Sequence, residues 1–197
     1  MSASKPQSPP RRRPYAELRP REYLTPAEVD RLIKGARKSG RHGHRDGLMI
    51  LMAYRHGFRP AELVALSWER LDLDDARVDV RRLKNGRRST QPLGGEQIRA
   101  LRKLKRLYPK NHYVFQTERG GPLTTSGLRK IVARAGEVAG FPWPVHPHML
   151  RHACGYKLIN DGQDLRLVQD YLGHREIRHT VRYTELDAGR FRDFWSD

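Results

Sequence analysis

Apolar side chains recur at helical spacing from residue 25 onward, and the first such stretch carries signals at both ends. Its apolar positions are Val29, Leu32, Ile33 and Ala36. Thr25 can cap the helix, Pro26 suits the first helical position and Glu28 completes a capping box. Gly40 can end the helix. The pattern therefore predicts a helix that begins at Pro26 and ends before Gly40.

The same helical period continues through most of the chain. A second helix is predicted over residues 45–56, ending at Gly57, and Pro60 is expected to open a third over residues 61–68. Later helices are predicted over residues 98–107, 125–138, 148–160, 165–172 and about 180–186.

Only a short central region shows the alternating pattern of strands. Residues 77–81 alternate polar and apolar side chains, and Asn85-Gly86 is a strong hairpin signal. The return strand is predicted over residues 88–92, and a further short strand over residues 113–116. There is no internal repeat. The predicted fold class is therefore mainly α with a small antiparallel β-sheet (α+β).

The N-terminal segment differs from the rest in composition. Residues 1–22 contain five prolines, the run Arg11-Arg12-Arg13 and few apolar side chains, which is typical of a disordered basic arm. A solvated tail without a role is the alternative. We expect one compact domain over residues 23–197, a length that suits a single core.

The charge of the chain predicts a polyanionic partner. The 39 Lys and Arg exceed the 22 Asp and Glu, giving a formal net charge of +17. Such an excess indicates nucleic acid or an anionic membrane. The membrane is the weaker interpretation, because the longest apolar run covers only residues 48–54 and the N-terminus lacks a signal-peptide stretch. The lone Cys154 fits a reducing cytoplasm and is expected to be a packed small residue.

Two arginines lie at or near the N-termini of predicted helices, where they would favour the binding of an anion. Pro147 can start a helix, which places His148 and Arg151 on one face near its positive end. Arg59 stands immediately before Pro60, at another predicted helix start. Together they would suit a phosphate group, although either arginine alone is usually a surface charge. A metal site at His146, His148 and His152 is disfavoured, because no cysteine or acidic residue stands beside them at ligand spacing.

Tyr183 is the tyrosine in the most polar surroundings. It lies between Arg182 and Thr184, so we expect its hydroxyl to be reachable from solvent. Tyr54, Tyr156 and Tyr171 fall in apolar helical stripes, where packing is the expected role.

The order and spacing of these residues resemble the tyrosine recombinases, the lambda-integrase family. The matching series is Arg59, Lys84 beside the hairpin turn, His148-x-x-Arg151, Leu172-Gly173-His174 and Tyr183. The similarity extends from about Tyr23 to Trp195. It is closest to the short recombinases that invert fimbrial promoter segments, through residues 56–63, 82–86, 146–155 and 169–174.

The resemblance implies a mechanism. Tyr183 would attack a DNA phosphodiester, forming a 3′-phosphotyrosyl bond and freeing a 5′-hydroxyl, so religation needs no ATP. Arg59 and Arg151 would neutralise the phosphoryl oxygens. His148 and His174 would hydrogen-bond the phosphate and handle the proton of the tyrosine. Lys84 would protonate the leaving 5′-oxygen. Glu62 would be a carboxylate that helps to organise the site. The resemblance implies no cofactor and no metal.

The resemblance also implies partners and leaves alternatives open. Family members act on double-stranded DNA as homo-tetramers on two sites, with possible accessory DNA-bending proteins, in the bacterial cytoplasm at the nucleoid. Unlike typical members, this chain is expected to lack a separate N-terminal core-binding domain. Its last apolar residues, Phe191, Phe194 and Trp195, could pack on their own core or on a neighbouring protomer. The alternative functions are an integrase or excisionase of a mobile element, a non-catalytic DNA-binding regulator and, least favoured, a type IB topoisomerase.

Overall fold

The computed structural model describes residues 21–82 and 88–184, and helices account for most of this part of the chain. The helices are α1 (Pro26–Lys38), α2 (Gly43–His56), α3 (Pro60–Val64), α4 (Gly95–Leu107), α5 (Thr125–Val138), α6 (Pro147–Asn160), α7 (Leu165–Leu172) and α8 (Arg178–Val181). The strands are β1 (Leu71–Asp72), β2 (Arg77–Val80) and β3 (Ser89–Pro92). The predicted fold class, mainly helical with a small antiparallel sheet, is confirmed.

The capping signals of the first two helices act as predicted. The Thr25 hydroxyl accepts from the Glu28 backbone N–H at 3.3 Å, and the Glu28 carboxylate accepts from the Thr25 N–H at 2.8 Å. Helix α2 begins two residues before the predicted start and ends at Gly57, whose left-handed backbone (φ 56°) requires glycine. Most α2 side chains are buried, so this helix runs through the core between α1, α4 and α6.

Two predictions were wrong for one shared reason. Helix α3 ends at Val64, well short of the predicted residue 68, and residues 113–116 form no continuous strand. Ser67 instead has extended backbone and bridges Tyr113, while the Val114 N–H donates to Leu66 O at 2.9 Å. This pairing draws the chain out of the helix, which tertiary contacts can do against local propensity. The helical continuation is a single 3₁₀ turn at Trp68–Arg70.

The three strands form one antiparallel sheet in the order β1-β2-β3. Val78 and Val80 are fully buried on one face, as the alternation predicts, and pair with Gln91 and Ser89. Strand β1 was not predicted, because two residues are too few to show a period. The turn at 83–87, including Lys84 and the Asn85-Gly86 signal, lies outside the described residues.

The C-terminal helices bring the predicted site residues onto the core. Helices α5 and α7 have the predicted bounds, and α6 begins at Pro147, one residue early. Helix α8 is shorter than predicted and ends before Tyr183, which lies in a turn. Phe191, Phe194 and Trp195 lie outside the described residues. Cys154 is buried, as expected.

Arg21 and Glu22, at the end of the predicted arm, form ion pairs with the domain. Arg21 pairs with Glu28 at 2.7 Å, and Glu22 pairs with Arg182 at 2.6 Å. Among the described helices, none combines the length and apolar character needed to cross a bilayer.

Candidate active site

Arg59 is fixed at the start of α3 by its own helix. It is the N-cap, with extended backbone before Pro60, and its N–H donates to Glu62 Oε2 at 2.9 Å. Its guanidinium Nη1 donates to Glu62 Oε1 at 2.8 Å, while a third of the side chain remains exposed. Arg59 is therefore held by a buried carboxylate and still open to a ligand.

Glu62 also binds a second arginine, Arg82, which is not among the residues predicted for the site. Arg82 Nη1 donates to Glu62 Oε2 at 2.9 Å, and both side chains are fully buried. Burial raises the pKa of Glu62, but the charge of Arg82 and the hydrogen bonds from Arg59 outweigh it, so the pKa is lowered. The alternation of the sequence could have predicted this burial. Arg82 continues the series Val78, Val80, whose members face the buried side of the sheet.

Arg151 lies in the second turn of α6 with only 4% of its surface exposed. Its Nη1 donates to the carbonyl of Gly57, and its Nη2 donates to Leu172 O at 2.7 Å. Arg82 Nη1 donates to the same Gly57 carbonyl at 3.3 Å. The turn between α2 and α3 thus joins the two buried arginines.

Three arginines around one carboxylate leave an excess of positive charge. Burial, together with the charges of Arg59 and Arg82, lowers the pKa of Arg151 to about 9. Arg151 is still protonated at neutral pH, and an anion beside it would relieve the repulsion. The arrangement is suited to a phosphate, because guanidinium groups donate in pairs to its oxygens.

His174 borders this cluster, and His148 lies one turn before Arg151 on α6. His148 is exposed in the first turn of α6, and His174 follows Gly173, which ends α7 with a left-handed backbone. His174 Nδ1 is 2.9 Å from Thr180 Oγ1. Burial, reinforced by the charges of Arg151 and Arg59, lowers the pKa of His174 to about 3. His174 is therefore neutral in the free protein at neutral pH.

The expectation that the Tyr183 hydroxyl is reachable was wrong. Only 1% of the residue is exposed, and its ring lies 4.9 Å from the ring of Tyr156 and 6.1 Å from that of His174. The polar neighbours in sequence do not predict this, because Arg182 turns outward to pair with Glu22 while the turn directs Tyr183 onto Gly155. Burial raises the pKa of Tyr183 to about 12, although Arg151 and Arg182 oppose the rise.

His152 is the polar partner of Tyr183, a contact that sequence reasoning missed. Its Nδ1 lies 3.3 Å from the Tyr183 hydroxyl oxygen, and the rings meet edge to face at 5.9 Å. His148, His152 and Tyr156 follow one another at intervals of four residues, so they share a face of α6. That spacing could have indicated which side of the helix Tyr183 contacts.

Gly155→Ala is expected to displace Tyr183. An alanine Cβ would collide with three carbon atoms of the Tyr183 ring. We expect a loss of about 1–3 kcal/mol in the free energy of unfolding, typical of an overpacked core, with loss of the His152 contact. Urea denaturation measures the change in the free energy of unfolding. Gly127→Ala is the control, because its Cβ would meet only ordinary contacts at 3.4 Å or more. Equal stabilities of the two variants would contradict the close packing.

Acidification is expected to destabilise the protein above the range in which carboxylates titrate. Burial lowers the pKa of both His56 and His152 to about 4, whereas an unfolded histidine titrates near 6.5. The unfolded state binds more protons below pH 6.5, so stability is lost as pH falls from 6.5 towards 4. We expect roughly 1–2 kcal/mol for each histidine between pH 7 and pH 5, measured by urea denaturation. An unchanged unfolding midpoint over this range would contradict the buried neutral histidines.

A metal centre finds no support in the described residues. Within 21–82 and 88–184, no three His, Cys, Asp or Glu side chains lie close enough to hold an ion. Lys84 cannot be placed, because it lies outside these ranges. The described part of the chain thus brings together Arg59, Glu62, Arg151, His174 and Tyr183, with His148 at the helix start beside them.

Known proteins are similar to this chain in both sequence and fold. The phage integrase family model matches residues 22–190. The Type 1 fimbriae regulatory proteins FimE and FimB of Escherichia coli K12 are 44% identical over 181 residues and 40% identical over 185. These alignments cover 89% and 91% of this chain and 91% and 92% of the relatives. The tyrosine recombinase XerD of Listeria monocytogenes is 32% identical over 85% of this chain and 59% of its own length.

Solved recombinase structures have the same fold. XerA recombinase superposes with a TM-score of 0.76 at 28% identity, over 87% of this chain and 63% of that structure. The XerH site-specific recombinase bound to its difH substrate gives 0.73 at 26% identity, over 87% and 52%. These matches confirm the resemblance predicted from the motif residues. The chain therefore belongs to the phage integrase family and is a tyrosine-type site-specific recombinase.

Proposed function

We propose that this chain inverts a DNA segment by breaking and rejoining strands through a covalent 3′-phosphotyrosyl bond to Tyr183. The observation that carries the proposal is the clustering of Arg59, Arg151 and His174 with Tyr183, whose ring stacks on His174. Two arginines tied to one buried framework offer paired donors to a phosphodiester beside the only described tyrosine that contacts two histidine rings. The similarity to FimE and FimB supports the inverting subgroup.

The residues divide the reaction between them. Arg59 and Arg151 would bind the non-bridging oxygens and stabilise the charge that develops there, where losing one donor typically costs roughly 10²–10³ in rate. His148 would add a hydrogen bond from the start of α6. Lys84 would protonate the leaving 5′-oxygen, and Glu62 would hold Arg59 in place. No part of this chemistry requires a cofactor.

Tyr183 must lose its proton to attack, and its raised pKa makes that step dependent on neighbours. Neutral His152 lies at hydrogen-bond distance from the hydroxyl, and neutral His174 stacks on the ring. In the free protein burial lowers the pKa of His152 to about 4 and that of His174 to about 3, so both are weak bases there. The negative charge of a bound phosphodiester would raise both pKa values and so allow one of these rings to accept the proton. Because the hydroxyl is covered in the free protein, the turn that carries it has to open when DNA binds.

The assembly we propose is a homo-tetramer on two double-stranded DNA sites, with accessory DNA-bending proteins as further partners. The solved relatives include a recombinase bound to its substrate, which supports DNA as the partner. The basic residues 1–22 would add contacts to the DNA backbone, and residues 23–197 would form the catalytic domain. The bacterial cytoplasm, at the nucleoid, is the compartment this activity requires.

An integrase or excisionase would use the same chemistry on differently arranged sites. The match of the phage integrase family model to residues 22–190 keeps this second candidate. The relative orientation of the two DNA sites separates the candidates, because inverted repeats give inversion and direct repeats give excision.

Trapping the covalent intermediate tests the proposal. The chain is expressed in Escherichia coli, adducts are captured by rapid denaturation, and the attached DNA is sequenced. We expect short repeated sites, and a nucleotide-bearing peptide that contains Tyr183. DNA binding without any adduct would overturn the proposal and favour a regulator, whereas a modified peptide from another tyrosine would overturn the assignment of Tyr183.

A further inference from the structure

A buried histidine outside the reaction centre makes two hydrogen bonds that the proposed chemistry does not use. His56 is the last residue of α2, and 1% of it is exposed. Its Nδ1 lies 2.9 Å from Gln91 Oε1 on β3, and its Nε2 lies 2.8 Å from Gln97 Nε2 on α4. The ring thus joins three elements at the point where α2 turns towards Arg59.

Each glutamine amide has its orientation fixed by a backbone partner. Gln97 Oε1 accepts from the Gly94 N–H at 3.0 Å, so the NH₂ group of Gln97 must face His56. Gln91 Nε2 donates to Tyr171 O at 2.9 Å, so its carbonyl oxygen must face His56. Both assignments follow from backbone groups that can only donate or only accept.

The two amides together select one tautomer of His56. An NH₂ group can only donate, so Nε2 must accept from Gln97 with its lone pair. The proton then lies on Nδ1, which donates to Gln91 Oε1. A second proton on Nε2 would face the NH₂ group of Gln97, and the nearby charges of Arg55 and Arg82 would oppose it as well. Burial, the NH₂ group of Gln97 and the two arginine charges thus keep His56 neutral, although its hydrogen bond to Gln91 alone would favour protonation.

Among the residues that the structure describes, the other ionisable groups lining the pocket beside the ring do not offset this arrangement. Tyr54, Cys154 and Tyr171 line the same 480 Å³ pocket as His56. Burial raises the pKa of each of the three, so all stay protonated and uncharged at neutral pH. Asp30, Lys157 and Asp161 line the same pocket. They are exposed residues at its surface, where solvent screens their charge.

We call His56 with its two glutamine partners, Gln91 and Gln97, the clamp. The backbone carbonyls that accept hydrogen bonds from the arginines lie at its edges. Arg82 Nη2 donates to His56 O at 3.0 Å and to Tyr171 O, the same oxygen that accepts from Gln91. Arg151 donates to the carbonyls of Gly57 and Leu172, the residues that directly follow His56 and Tyr171. Moving His56 would therefore move the oxygens that orient both guanidinium groups.

We propose that His56, as a neutral Nδ1–H tautomer clamped between Gln91 and Gln97, is a positioning residue for DNA cleavage. It does not touch the phosphate. It fixes the ends of α2 and α7 relative to each other, and so fixes the carbonyls that orient Arg82 and Arg151. This role rests on the proposed recombinase function.

The first test reads the tautomer directly and does not depend on activity. The full chain is labelled with ¹⁵N-histidine, and long-range proton–nitrogen spectra are recorded from pH 5.5 to pH 8. We expect the histidine signal that is lost in His56→Asn to show the Nδ1–H pattern without titrating. An Nε2–H pattern, or a midpoint near the ordinary value of about 6.5, would overturn the clamp.

The second test separates positioning from stability. Single-turnover adduct formation is measured on the duplex recovered from wild-type adducts, with His56→Leu, His56→Asn and the core control Val132→Ala. We expect His56→Leu to lower the cleavage rate by roughly 10- to 100-fold at nearly unchanged duplex affinity, since a misplacement of about 1 Å can cost that much. Asparagine keeps an N–H donor near the position of Nδ1, so His56→Asn should retain more activity.

Val132 is buried on α5, outside the clamp, so its truncation lowers stability without touching these hydrogen bonds. Equal cleavage per folded molecule for His56→Leu and Val132→Ala would reduce His56 to a structural residue. If His56→Leu does not fold, Gln91→Met removes the same link from the other side and carries the same expectation. Absence of adducts from the wild type would overturn the recombinase function instead, while the spectra would still decide the clamp.

Discussion

Tyr183→Phe is expected to abolish covalent DNA adducts while leaving the fold and duplex binding intact. The change removes one oxygen atom, and no other described side chain can take its place at the arginine cluster. Stability should fall by about 1 kcal/mol or less, because within the described residues the hydroxyl makes one hydrogen bond, to His152 at 3.3 Å. Denaturing gels of DNA-bound protein and a filter-binding titration on the same duplex measure the two quantities.

Tyr156→Phe is the matched control for this prediction. Tyr156 is buried like Tyr183, and its ring packs against the Tyr183 ring. Among the described residues, its hydroxyl donates to Arg182 O at 3.5 Å. Adducts should persist in this variant at close to the wild-type level. Adducts that survive Tyr183→Phe but disappear with Tyr156→Phe would move the nucleophile to α6.

Glu62→Ala is expected to lower the free energy of unfolding by about 3–5 kcal/mol, because it leaves the fully buried Arg82 without its counter-ion. Arg59 would also lose both hydrogen bonds that hold it at the start of α3. Cleavage should therefore fall even under conditions in which the variant is folded. Urea denaturation gives the stability, and adduct formation per folded molecule gives the activity.

Glu118→Ala is the control for charge removal. Glu118 also pairs with basic side chains, Arg41 and His42, but it is exposed. Because solvent screens exposed ion pairs, little change in stability is expected. A loss for Glu62→Ala no larger than that for Glu118→Ala would mean that water reaches Arg82 and replaces the carboxylate.

Local signals determined much of the fold. The Thr25 capping box and Gly57 set helix ends that need only neighbouring residues, and the alternation of Val78 and Val80 placed a strand without reference to its partner. The helix over residues 61–68 was the main error, because the pairing of Ser67 with Tyr113 joins positions far apart in sequence. The hydrophobic pattern of a short sequence segment cannot predict a contact between residues that lie so far apart in the chain.

The candidate site divides in the same way. The sequence by itself determined which residue types stand at helix starts, and the spacing of Arg59, His148, Arg151, His174 and Tyr183 was sufficient to predict the family. The identity and the spacing of these residues are properties of the sequence itself and need no knowledge of the fold.

Only the tertiary structure decided how the site residues are held. It buried Tyr183 against Gly155, joined Arg82 and Arg151 through the carbonyl of Gly57, and fixed the proton of His56 between two glutamines. These features depend on burial and on backbone carbonyls, which every residue carries alike. Sequence patterns therefore report side-chain chemistry, whereas exposure, tautomer and hydrogen-bond partner are set when distant segments pack together.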